Sequence, residues 1–154
     1  MGHSLAMKMN AAQHRPHPVR QPQDRAPQAM LHLAALPTAA SCARAWTRRV
    51  LSQWQLSVLS ETAELIVSEL TTNAILASCH LNRPFIWLAL TLEHRELVIS
   101  VRDYCPGAPE PRNVRNDDEN GRGLLLVEAM SSRSGWYTFE DGPAGKVVWA
   151  VVSS

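Results

Sequence analysis

From residue 29 onward the apolar positions follow two periods. At the helical period, Leu59, Ala63, Ile66, Leu70, Ala74 and Ala77 form one stripe. This predicts a helix capped by Ser60 and ending near residues 78–80. Pro37 and Thr38 open an earlier helix running to about Gln53, with Ala43, Trp46, Val50 and Leu51 among its apolar positions. Strands are expected at residues 30–36, 85–92 and 96–103. Only His94 and Arg95 separate the last two, so they read as an antiparallel hairpin. A short helix over residues 124–130 follows Gly121-Arg122-Gly123. Residues 136–139 and 146–152 make a closing hairpin. This order predicts one sheet with every helix on a single face.

Two stretches break the pattern. Residues 1–28 carry Pro16, Pro18, Pro22 and Pro27 and few large apolar side chains, and they read as a mildly basic tail. The folded domain is then residues 29–154. Between residues 104 and 120, prolines, acids and arginines leave almost nothing to bury, as in a functional lid.

Totals narrow the function. A chain of 154 residues, 45% hydrophobic and 19% charged, is long enough for one domain with a real core. A net charge of +1 gives no general pull on nucleic acid or anionic membrane. No apolar run approaches the roughly 18 residues of a membrane span, and no secretory signal is legible. Three cysteines without a CxxC pair suggest neither a disulfide framework nor a zinc site, and a cytoplasmic setting is the simplest.

Three places offer chemistry. Glu69 and Asn73 stack one turn apart on the long helix. Such a pair either holds a hydrated Mg²⁺ and aims a nucleophile, or is simply solvated. Asp103 ends an apolar strand, where a carboxylate either accepts from an exocyclic amine or marks the strand's exit to water. Gly121 and Gly123 at a helix start either give backbone N–H groups to phosphate or serve the turn alone. Arg122 between them faces phosphate or solvent. No P-loop lysine follows them. No Ser/His/Asp arrangement is legible either.

These places occur in a recognisable order. The run Val67-Ser68-Glu69-Leu70-Thr71-Thr72-Asn73-Ala74, then Val101-Arg102-Asp103, Gly121-Arg122-Gly123-Leu124 and Gly145-Lys146-Val147-Val148-Trp149, resembles the histidine-kinase-like (GHKL) ATPase superfamily. More closely, it is similar to the small actinobacterial ATP-binding regulators related to anti-sigma-factor serine/threonine kinases. The resemblance implies an α/β (α+β) two-layer sandwich of the Bergerat type, with a mixed, mostly antiparallel sheet and helices on one face. It implies ATP and Mg²⁺ as cofactors. Asn73 would ligate the Mg²⁺, and Glu69 would be the general base. Asp103 would bind the adenine amine. Gly107, Gly121, Arg122, Gly123, Leu124 and Val147 would complete the nucleotide site. The implied activity is phosphoryl transfer to a serine or threonine of a small antagonist protein, with a sigma factor as the competing partner and a homodimer as one assembly. The alternative is a module of the same fold that binds partners without turnover.

Two departures from the family pattern stand out. After Asp103 the superfamily has Gly-x-Gly, whereas this chain has Tyr104-Cys105-Pro106-Gly107. Val147 stands where the closing motif has threonine. The lost hydroxyl predicts weaker ATP binding, by about 0.5–1.5 kcal/mol for one hydrogen bond.

Overall fold

The structure is a computed structural model and describes residues 26–78, 80–82, 85–109, 123–139 and 144–153. Most of the expected tail and lid, and with them Gly121 and Arg122, lie outside the described residues.

Among the described residues five strands form one sheet in the order β1-β2-β3-β5-β4. They are β1 (Gln28–Ala34), β2 (Phe85–Glu93), β3 (Glu96–Asp103), β4 (Arg133–Thr138) and β5 (Lys146–Val152). All four pairings are antiparallel, so among the described residues the sheet is antiparallel throughout rather than mixed. Among the described residues three α-helices accompany it: α1 (Ala39–Gln53), α2 (Ser60–Ser78) and α3 (Gly123–Met130). The class is α+β.

Side-chain alternation explains the two layers. In β3, Leu97, Ile99, Val101 and Asp103 are buried and their neighbours half-buried. β2 does the same with Ile86, Leu88 and Leu90. The apolar residues among these and Val148, Ala150 and Val152 of β5 meet Ala63, Ile66, Val67 and Leu70 of α2 in a single core. Burying one such aliphatic side chain is worth about 1.5–3 kcal/mol. α1 packs on α2, where Arg44 Nη1 donates to Ser68 Oγ at 2.9 Å and Arg48 grips Glu64 with two hydrogen bonds at 2.9 and 2.6 Å.

Some boundaries differ from expectation. β1 begins and ends two residues earlier, because its pairing with β2 runs from Gln28↔Thr91 to Ala34↔Phe85. Leu36 falls beyond the strand and is exposed. A 3-10 turn, Ser57–Leu59, runs straight into α2, so Ser60 is itself helical (φ −59°, ψ −46°) and does not cap the helix. β4 starts three residues before the expected strand, since Arg133 already pairs with Val151.

The other sheet face carries no helix among the described residues. Met30, Trp87, Arg102, Tyr137 and Val147 line a shallow cleft there. The Arg102 guanidinium lies 4.0 Å from the Phe139 ring centroid and 5.1 Å from that of Tyr104. Trp87 Nε1 donates to Tyr104 Oη at 3.1 Å.

Candidate functional site

α2, β3 and β5 enclose a cavity of about 310 Å³, bordered at one side by Cys105, Pro106, Ala108 and Pro109. That volume lies near the lower end for small-molecule sites, which are mostly apolar with a few convergent polar groups. Leu70, Ala74, Val101 and Val148 supply apolar wall, and Asn73, Asp103, Lys146 and His80 supply polar atoms.

Strand alternation turns Asp103 inward, as the fourth buried position of β3. Its Oδ1 accepts from Lys146 Nζ at 2.9 Å and from the Cys105 backbone N–H at 2.8 Å. Its Oδ2 accepts nothing from the described residues. The two side chains are only 2% and 5% exposed, which makes this a buried ion pair. Burial pushes the Asp103 carboxyl above its ordinary value, and the bonds from Lys146 and Cys105 only partly offset this.

Asn73 reaches the same cavity from α2. Its buried Nδ2 has no hydrogen-bond partner among the described residues. An orphaned buried amide is the kind of group that a bound ligand satisfies. Glu69, one turn earlier, is half-buried and does not line the cavity. Its carboxylate lies against Gly123, the first residue of α3, so closely that a Cβ there would collide with it. The positive end of a helix favours a carboxylate at that point.

The remaining expected site residues separate. Leu124 is buried in the core between α3 and its neighbours. Gly107 has φ +93°, a conformation that suits glycine, and it turns the chain between Pro106 and Ala108 at the cavity's edge. Val147 lies on the opposite sheet face, in the cleft with Trp87 and Tyr137. The inward side chain at this end of β5 is Lys146.

Lys146 received no role from the sequence. The signal was available, since Lys146 is in phase with the inward Val148, Ala150 and Val152 of an otherwise apolar strand. His80, which no sequence motif marks, also lies at the cavity. Among the described residues no cluster of three His, Cys, Asp or Glu side chains is placed to hold a metal ion. A cation at Asn73 would therefore take most of its oxygens from a ligand and from water, as Mg²⁺ commonly does.

A family model for the histidine kinase-like ATPase domain matches residues 33–152. The chain belongs to that family. No curated protein matches it. Among solved structures it is similar to the RsbU and RsbW domains of Rv1364c from Mycobacterium tuberculosis, at 20% identity and a TM-score of 0.59. That match covers 82% of this chain and 32% of the other, so the chain spans about a third of that protein. It is also similar to a chain of the SiaB-SiaC complex from Pseudomonas aeruginosa, at 13% identity and a TM-score of 0.57, covering 80% and 88% of the two chains. At these identities the likeness is one of fold. No described helix is long and apolar enough to cross a membrane.

Proposed function

We propose that this chain binds ATP with Mg²⁺ in the cavity between α2, β3 and β5, and that it regulates a partner protein by serine/threonine phosphorylation. The observation that carries the reading is convergence: Asn73 and Asp103, on different elements, line one apolar cavity. The family match supports the choice of nucleotide. ATP would bring the transferable phosphoryl group. The chain's own residues orient it. Asp103 Oδ2 is free to accept from a base amine, the apolar walls hold the ring, and Asn73 offers its amide oxygen to the cation. Glu69, one turn back on α2, is the candidate acceptor for a proton from a partner's hydroxyl. Positioning of this kind supplies most of the rate in phosphoryl transfer. A small antagonist protein and a sigma factor are the partners we infer.

Calorimetric titration of Mg-ATP into the full chain, with Asp103→Ala as control, tests the pocket. Binding lost in the variant is expected, whereas binding unchanged by it would move the nucleotide elsewhere. Glu69→Ala separates binding from transfer. Affinity for Mg-ATP is expected to stay within about threefold, with labelled phosphate no longer passed to a serine-bearing antagonist. Undiminished transfer removes Glu69 from the base role.

One observation favours a second reading, in which nucleotide is held without turnover. Glu69 rests on Gly123 and does not line the cavity. The same Glu69→Ala experiment separates the two, because a module without turnover shows no transfer in either form.

A further inference from the structure

The cavity floor sets two opposite charges side by side. Lys146 Nζ donates to Asp103 Oδ1 at 2.9 Å. An ammonium has three N–H donors, and Asp103 is the one acceptor that the described residues give it. A buried charge left short of partners is unfavourable, so a ligand acceptor is welcome there. Asp103 Oδ2 is open as well. Donor and acceptor thus face the same cavity, next to one another.

Purines differ at the corresponding edge. Position 6 bears a donor amine in adenine and an acceptor oxygen in guanine. A lone carboxylate accepts from the first and repels the second. A lysine in contact with that carboxylate removes the distinction.

We propose that Lys146 is a base-reading residue and that it opens this site to guanine as well as adenine nucleotides. The inference rests on the nucleotide-binding reading above. With adenine, Asp103 accepts from the amine while Lys146 faces a ring nitrogen. With guanine, Lys146 donates to the exocyclic oxygen at position 6 while Asp103 accepts from the adjacent ring N–H. A lysine that only neutralised Asp103 would leave base preference untouched.

The test is equilibrium titration of the full chain with Mg-ATP and with Mg-GTP, for the wild type, Lys146→Met and Lys146→Gln. Wild type is expected to bind the two within about tenfold, and Lys146→Met to lose at least about tenfold more affinity for GTP than for ATP. Lys146→Gln keeps a donor and restores part of the GTP binding. Rejection of GTP by more than about a hundredfold in the wild type overturns the proposal, as do equal losses in Lys146→Met. Should Lys146→Met fail to fold, the wild-type ratio and Lys146→Gln decide. ATP binding with GTP refused removes only the role of Lys146. Binding of neither removes the nucleotide reading and this proposal together.

Discussion

At the scale of single residues, the Asp103–Lys146 pair dominates. Two charges 2.9 Å apart and almost wholly buried are weak stabilisers as a pair, yet losing one partner typically costs about 3–5 kcal/mol. The carboxyl itself is raised by burial, so the folded chain binds that proton more tightly than the unfolded chain does. Stability tied to Asp103 is therefore fully present below the ordinary value of 3.8 and falls as pH rises through the folded value. Urea midpoints taken at successive pH values above 3.8 should fall more steeply for wild type than for Asp103→Asn. Parallel profiles would mean that burial does not govern this group.

At the scale of elements, the contact between α2 and α3 is the one to disturb. Gly123 lets Glu69 approach the start of α3, and a methyl there must displace the carboxylate. The clash is with the end of a flexible side chain, and alanine suits a helix better than glycine by up to about 1 kcal/mol. Gly123→Ala is therefore expected to leave the denaturant midpoint nearly unchanged while Glu69 swings off α3. A loss of more than about 2 kcal/mol would show that Glu69 is held in place against α3. Elements were also what the sequence showed most plainly. The α2 stripe, the hairpin around His94 and Arg95, and the inward phase of Leu97 to Asp103 follow from apolar period and turn length alone. Less legible were features set by partners distant in sequence. The start of β1 depends on its register with β2, and Ser60 lost its capping role to the 3-10 turn before it. Glu69 and Asn73 were legible as a helical pair, but only packing shows that one lies on α3 and the other at the cavity. Val147 was assigned from a motif, and strand parity sends it to the other face.

At the scale of the molecule, the strand order has a kinetic meaning. β2 and β3 meet across a two-residue turn, whereas Asp103 and Lys146 pair across 43 residues. Closing so long a loop costs entropy before any contact offsets it, and such pairings slow folding. Docking of β5 between β3 and β4 is thus expected to be the slow event. Val148→Ala should lower the refolding rate in stopped-flow experiments. A variant that only unfolds faster would put β5 docking after the barrier. Because the cavity floor is made by that same docking, a chain short of the barrier has nothing for a base to rest on. Nucleotide would then leave refolding rates alone and act only by holding the folded chain closed.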